Sequence, residues 1–163
     1  MNTDTLFNAR CIAPKLNVVS KKQLIQEMAD LAVGCGAVSN NGTATSMKAR
    51  DIVGAVMERE RLGSTGVGNG VAIPHARIDG IDSVRAVFAR LETSLEYDAI
   101  DDRPVDLIIL LLAPKDAGSD HLKALAQISR LMRREEMRTR LRQAPDGDSL
   151  HLLLTEKPSV NAA

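Results

Sequence analysis

A nearly continuous apolar stretch at residues 105–113 constrains the fold of this chain more than any other feature. A strand that is apolar on both faces is typical of the centre of a sheet that is covered on both sides. Its longest apolar run, residues 107–113, is too short to cross a bilayer, which takes roughly 20 residues. We therefore predict a central strand that ends at Pro114, in a protein without membrane insertion.

The rest of the sequence alternates between extended and helical patterns. Extended segments are predicted at residues 11–19, 71–73 and 84–92. Helices are predicted at 20–34, where Ser20 and Gln23 form a capping box, between a polar loop at 34–45 and Gly63, from Ser119 or Asp120 towards Pro145, and at 149–155. This order predicts an α/β fold, with a single domain whose mixed parallel and antiparallel sheet is flanked by helices on both faces. The domain is expected to cover residues 6–155 and to be followed by a disordered tail at 156–163.

The composition argues against several classes of function. The 163-residue chain is 44% hydrophobic, enough for an aliphatic core, and its 21 basic and 21 acidic side chains cancel. With an aromatic content of 2%, it lacks both the positive charge and the stacking surfaces that nucleic-acid binding favours. The histidines and cysteines show no metal-ligand spacing. Cys11 and Cys35 are expected to be reduced thiols, and the absence of a secretory signal predicts a cytoplasmic protein.

Residues 63–77 carry the strongest functional signal. Glycines at positions 63, 66, 68 and 70 allow positive φ and leave backbone N–H groups free to bind an anion. A short apolar strand follows, and Pro74 then presents His75 at its exit. No lysine follows the glycines, as a P-loop requires, and the loop leads into a strand, whereas a dinucleotide fingerprint opens a helix. A phosphate bound here would therefore belong to something other than a nucleotide.

Four segments together form a longer pattern. They are Ser-Lys-Lys at 20–22, Gly-Ser-Thr-Gly-Val-Gly-Asn-Gly-Val-Ala-Ile-Pro-His at 63–75, Asp-Ala-Ile-Asp-Asp-Arg-Pro-Val-Asp-Leu at 98–107, and His-Leu-Lys-Ala-Leu at 121–125. This pattern resembles the A component (EIIA) of the fructose/mannitol class of the phosphoenolpyruvate-dependent phosphotransferase system, especially its nitrogen-regulatory branch. The resemblance implies the mannitol-type EIIA fold. The chain departs from the family only in detail, with Ala76 where glycine is common and Tyr97 where phenylalanine is frequent.

What the resemblance implies is a phosphotransferase component that works through a phosphohistidine and needs no cofactor or metal. His75 would accept the phosphoryl group from a small histidine-containing phosphocarrier protein (HPr-like). Neutral imidazole suits this role, because it is nucleophilic near pH 7 and leaves readily once protonated. His121 would be a hydrogen-bond partner that is not itself phosphorylated, and Arg59 would stabilise phosphate oxygens. The phosphate-binding loop is predicted to consist of Gly66, Gly68, Asn69 and Gly70.

The expected role is mainly regulatory and linked to nitrogen and potassium. Phosphorylation adds about two negative charges, so its targets, such as potassium transporters or sensor kinases, would distinguish the two states. A second hypothesis is the A component of a fructose/mannitol-type sugar uptake system, which passes phosphate to a permease B domain. A third is a binding protein in which only the unmodified surface matters.

The residues by themselves also allow ordinary explanations. A lone histidine is usually a packed or surface residue, residues 58–61 form a plausible solvated helix end of alternating charge, and the glycines suit a structural turn. A hydrolase that uses Ser64 or Ser119 ranks last, because neither serine lies in a nucleophile elbow.

Overall fold

The computed structural model describes residues 3–39 and 47–156. Its strands are β1 (Phe7–Leu16), β2 (Gly66–Gly68), β3 (Val71–Ala72), β4 (His75–Ile78), β5 (Arg85–Leu95) and β6 (Val105–Pro114). Its helices are α1 (Thr3–Leu6), α2 (Lys21–Gly34), α3 (Ala49–Leu62), α4 (Asp120–Arg133), α5 (Glu135–Gln143) and α6 (Gly147–Thr155). Residues 40–45 of the predicted polar loop, residue 46 and all but the first residue of the predicted tail lie outside the described residues. In the described ranges, no helix is long and apolar enough to span a membrane.

The strands form one mixed sheet in the order β1-β5-β6-β3-β2, and β4 also pairs with β6. Strand β6 runs antiparallel to β5 and parallel to β3 and β4, which follow one another along the same edge of β6. The predicted mixed sheet is confirmed, and residues 105–113 do form its central strand.

Helices cover both faces of this sheet, as predicted. The side chains of β6 alternate between two apolar clusters, and Ile108, Leu110 and Leu112 pack with the residues of α2 and α3. On the other face, Leu107 and Ile109 pack with the residues of α4, α5 and α6. All five are at most 1% exposed. Since burying one such side chain contributes roughly 2 kcal/mol, this strand supplies much of the stability of both layers.

The helix boundaries follow local chemistry. Ser20 caps α2, because its Oγ accepts a hydrogen bond from the Gln23 N–H at 3.1 Å. The predicted third helix is in fact two, α4 and α5, which are separated by Arg134 in an extended conformation. The buried Arg138 explains the break, since its guanidinium donates to the Met132 and Arg133 carbonyls at the end of α4 and satisfies them there.

The two cysteines are bonded to each other, unlike the pair of reduced thiols predicted from the sequence. Cys11 in β1 and Cys35 at the end of α2 form a disulfide, with an S–S distance of 2.09 Å and a Cα–Cα distance of 5.3 Å. The prediction of two reduced thiols is therefore wrong for this structure. The sequence gives no Cys-x-x-Cys signal because the pair is 24 positions apart and meets only when α2 packs on the sheet.

Candidate active site

His75 is the first residue of β4 and is half-buried. It lies opposite Leu111 of β6, and the carbonyl of Pro74 accepts from the Leu111 N–H, which fixes the chain just before the histidine. The ring Nδ1 lies 2.9 Å from the Ile73 carbonyl oxygen. A carbonyl oxygen only accepts, so Nδ1 carries the proton in this hydrogen bond and the neutral ring has its lone pair on Nε2.

His121 meets His75 across the gap between α4 and the sheet. The two ring centroids are 5.4 Å apart and the ring planes are inclined by 70°. His121 is the second residue of α4 and is only 7% exposed. Among the described residues its Nε2 has no hydrogen-bond partner. The structure thus brings together the two histidines that the sequence analysis selected, and it leaves a buried nitrogen available to a ligand.

Both histidines favour the neutral form. Burial lowers the pKa of His75, and the nearby Arg59 charge acts in the same direction, while the Ile73 hydrogen bond and Glu60 oppose the shift only in part. Burial, the neighbouring His75 and Arg77 together lower the pKa of His121 to about 4. At neutral pH, His75 is therefore a neutral ring with its lone pair on Nε2, and His121 is a neutral donor or acceptor.

Arg59 reaches the same region from the last turn of α3. Its Nη1 donates to the carbonyl of Gly63 at 2.9 Å, and its charge is close enough to lower the pKa of His75. A guanidinium has five N–H donors in a planar fork, and this hydrogen bond uses only one of its nitrogens. Arg59 is half-buried, which fits both a place at the edge of a site and a partly solvated helix end.

The predicted phosphate-binding loop has a different place. Strands β2 and β3 form a hairpin in which Gly68 pairs with Val71, so Asn69 and Gly70 form its turn. Val71, which follows the turn, lies opposite Leu107 of β6, whereas His75 lies opposite Leu111. Four residues of extended chain therefore separate Val71 from His75 by about 13 Å.

Two N–H groups of this loop also have partners already. The Asn69 N–H donates to the Asp101 carboxylate at 2.9 Å, and the Gly66 N–H donates to Ser64 Oγ at 3.1 Å. The predicted cradle of Gly66, Gly68, Asn69 and Gly70 beside His75 is therefore corrected for Gly66 and Asn69, whose N–H groups are taken, and stays a prediction for Gly68 and Gly70. Positive φ at Gly68, Asn69 and Gly70 serves the turn instead.

Sequence analysis missed a buried polar cluster behind His75. Glu60, which is 8% exposed, accepts from Lys21 Nζ at 2.7 Å and from the Tyr97 hydroxyl at 2.9 Å, and it also accepts from both the N–H and the hydroxyl of Thr65. A signal was present, because Glu60 continues the buried stripe of Ile52 and Val56 at intervals of four residues. Its charge and its alternating neighbours made a solvated helix end the simpler interpretation.

The fold and the site define a small α/β domain of the EIIA type, with a histidine pair beside the central strand. The chain belongs to the family described as "Phosphoenolpyruvate-dependent sugar phosphotransferase system, EIIA 2", whose model matches residues 5–157. It is 40% identical to a nitrogen regulatory protein of Bradyrhizobium diazoefficiens over 157 residues, which cover 96% of this chain and 97% of the relative.

Solved structures agree with this assignment. The crystal structure of nitrogen regulatory protein IIA-Ntr from Neisseria meningitidis matches with a TM-score of 0.83 and 30% identity, covering 93% of this chain and 98% of that one. IIA mannitol from Escherichia coli matches with a TM-score of 0.72 over 91% of this chain and 98% of its own, and at 20% identity this likeness concerns the fold alone. The expected mannitol-type EIIA fold and the phosphotransferase family are confirmed.

Proposed function

We propose that the protein is a phosphohistidine carrier that accepts a phosphoryl group on Nε2 of His75 from an HPr-like protein in the cytoplasm. The observation that carries this proposal is the hydrogen bond from Nδ1 to the Ile73 carbonyl. It holds the ring in the tautomer whose lone pair is on Nε2, so the nucleophilic nitrogen is ready without a separate general base.

The transfer is a direct exchange between two imidazoles. The Nε2 lone pair of His75 attacks phosphorus in line, the N–P bond to the donor histidine breaks, and the donor ring takes back the electron pair as neutral imidazole. His75 then carries the phosphoryl group on Nε2 and a proton on Nδ1, so its ring is cationic. The Ile73 carbonyl stabilises this cation, and the same cationic ring is a good leaving group for the onward transfer.

Two further side chains have roles in this proposal. Arg59 stabilises the phosphoryl oxygens with its remaining N–H donors. His121 donates from its unpartnered Nε2 to one phosphoryl oxygen and is not itself phosphorylated. A pKa of about 4 keeps His121 neutral, so it can donate from Nε2 without placing a second positive charge beside the cationic ring of phosphorylated His75.

A protein donor fits the surroundings of the site. Leu62, in the turn of α3 that carries Arg59, is 84% exposed, and Leu122, next to His121, is 64% exposed. A protein that reaches both Arg59 and His121 would cover these leucines and remove their apolar surface from water. We propose that the HPr-like donor and the regulatory targets, such as potassium transporters or sensor kinases, contact this surface. The negative charges that phosphorylation adds at His75 then let a target bind the phosphorylated and the unphosphorylated protein with different affinities.

Labelling with phosphoenolpyruvate tests the proposal. The protein is incubated with labelled phosphoenolpyruvate, the general first enzyme of the system and an HPr-like carrier. We expect an acid-labile phosphate that is absent from His75→Ala and retained by His151→Ala. His151 is a suitable control, because its Nε2 contacts the Phe7 carbonyl on the α6 side of the fold. Label that survives His75→Ala would refute the assignment.

The family description favours one alternative, a sugar uptake component that passes phosphate to a permease B domain. The chemistry at His75 would be the same, and only the acceptor would differ. Incubating the labelled protein with membranes and fructose or mannitol separates the two functions. Label that appears in a sugar phosphate supports the uptake role, whereas label that remains on the protein supports the regulatory one.

A further inference from the structure

The carboxylate of Glu60 is the centre of a buried network that no part of the mechanism above uses. Its Oε2 accepts from Lys21 Nζ at 2.7 Å and from the Thr65 N–H at 3.2 Å. Its Oε1 accepts from the Tyr97 hydroxyl at 2.9 Å and from the Thr65 hydroxyl. Lys21 also lies over the Tyr97 ring, with Nζ 4.3 Å from its centroid. The carboxylate is therefore fixed from α2, from Thr65 and from Tyr97 at once.

This network is maintained as an ion. Burial alone would raise the pKa of Glu60, but the hydrogen bonds from Lys21, Thr65 and Tyr97 outweigh burial and hold that pKa below its ordinary value. A buried charge is costly unless it is paired and hydrogen-bonded. Glu60 meets both conditions, so its position is sharply defined and cannot relax without leaving Lys21 unpaired.

A continuous series of hydrogen bonds runs from Glu60 to the reacting histidine. Glu60 holds Thr65 by both its N–H and its hydroxyl. The carbonyl of Thr65 accepts from the Ile73 N–H at 2.9 Å. The carbonyl of Ile73 in turn accepts from Nδ1 of His75 at 2.9 Å. The atom that selects the His75 tautomer thus belongs to a residue whose backbone is tied, through Thr65, to the buried carboxylate.

We propose that Glu60 is a positioning residue for His75, which acts through Thr65 and Ile73 to hold the imidazole with its proton on Nδ1 and its lone pair on Nε2. This inference rests on the proposed function only for the assumption that Nε2 is the nitrogen that reacts. The negative charge of Glu60 acts in the same sense, because it favours the cationic ring that exists once His75 is phosphorylated, whereas the nearby Arg59 opposes it. Lys21 and Tyr97 keep Glu60 in place.

The test compares Glu60→Gln with Glu58→Gln. Gln has the same shape but no charge, and its amide replaces one of the two oxygens, which accept from Lys21, Thr65 and Tyr97, by an NH2 group that donates. Glu58 is exposed, two residues away on the same helix, so its variant controls for a lost carboxylate. Nitrogen-15 NMR of the unphosphorylated protein gives the populations of the two His75 tautomers, and the initial rate of labelling from the HPr-like carrier gives the rate of transfer.

For Glu60→Gln we expect a substantial population of the Nε2–H tautomer and a labelling rate lower by on the order of 10-fold to 100-fold, since misplacement of a reacting atom by about 1 Å has effects of this size. Glu58→Gln is expected to match the wild type in both measurements. A second pair guards against misfolding: Thr65→Val removes the hydroxyl and should shift the tautomers in the same direction, whereas Thr65→Ser keeps it and should restore the wild-type populations.

A folded Glu60→Gln protein, or a Thr65→Val protein if Glu60→Gln does not fold, with the wild-type tautomer and the wild-type rate would overturn the proposal. The tautomer measurement needs no phosphate donor. If the wild type takes up no phosphate on His75 while Glu60→Gln still changes the tautomer populations, the positioning role stands and the proposed function fails.

Discussion

The buried His121 makes the stability of the fold depend on pH, and the size of that dependence follows from the site. Its pKa is about 4 in the folded protein and about 6.5 in an unfolded chain. Below pH 6.5, His121 therefore binds a proton in the unfolded chain, whereas in the folded protein it stays neutral until the pH approaches 4. The contribution of His121 is fully present above pH 6.5 and is lost as the pH falls through this window.

The magnitude can be worked out from these two values. A difference of one pKa unit corresponds to about 1.4 kcal/mol, so the whole window is worth about 3 kcal/mol, of which about 2 kcal/mol is lost between pH 7 and pH 5. Replacing His121 by Gln removes the titrating group. We expect the free energy of unfolding of His121→Gln to fall about 2 kcal/mol less between these two pH values than that of the wild type.

Urea unfolding followed by far-ultraviolet circular dichroism measures this difference at pH 7 and pH 5. His151→Gln is the matched control, since His151 is a half-buried histidine on another helix, and it separates the loss of His121 from the loss of any histidine. Equal pH dependence in His121→Gln and the wild type would show that His121 is not held neutral by its surroundings, and the argument from burial would be refuted.

Two further predictions concern the scaffold. Gly66→Ala should destabilise the fold by roughly 1–3 kcal/mol in thermal unfolding, because a Cβ at Gly66 would lie 2.7 Å from the Cβ of Ala99. Gly54→Ala is the control, since a Cβ there meets nothing within 4 Å and should not destabilise the fold. Equal melting temperatures of the two variants would contradict the packing argument. Reducing the disulfide between Cys11 and Cys35, which are 24 positions apart, should lower the free energy of unfolding by roughly 3 kcal/mol. If the denatured but unreduced protein shows two free thiols in a thiol assay, the disulfide is absent and the prediction fails.

The fold was largely accessible from the sequence because its elements are locally determined. Residues 105–113 are apolar on both faces of the strand, so both faces are buried only at the centre of a sheet that is covered on both sides. Ser20 and Gln23 fix the start of α2 by a local hydrogen bond. The short strands β2 and β4 were not predicted, since they are made of few residues and form only through pairing with β3 and β6.

The site was accessible only in part, because its geometry depends on long-range contacts. The glycine pattern fits an anion cradle and a hairpin turn equally well. The hairpin forms because its turn is hydrogen-bonded to β6, where the N–H groups of Asp106 and Leu107 both donate to the Gly70 carbonyl. The approach of His121 to His75 requires α4 to pack on the sheet, which no local pattern encodes. The family resemblance selected both histidines, and the structure supplies the reason why they meet.

The attachment site of phosphate on His75 tests the central claim most directly. Because Nδ1 donates to the Ile73 carbonyl, the proposed transfer requires that the phosphoryl group bond to Nε2. Nitrogen-15 and phosphorus-31 NMR of the protein phosphorylated by phosphoenolpyruvate and the HPr-like carrier identify the nitrogen that is coupled to phosphorus. The account predicts a single phosphohistidine with phosphorus on Nε2 of His75; phosphorus on Nδ1, or on any residue other than His75, would contradict it.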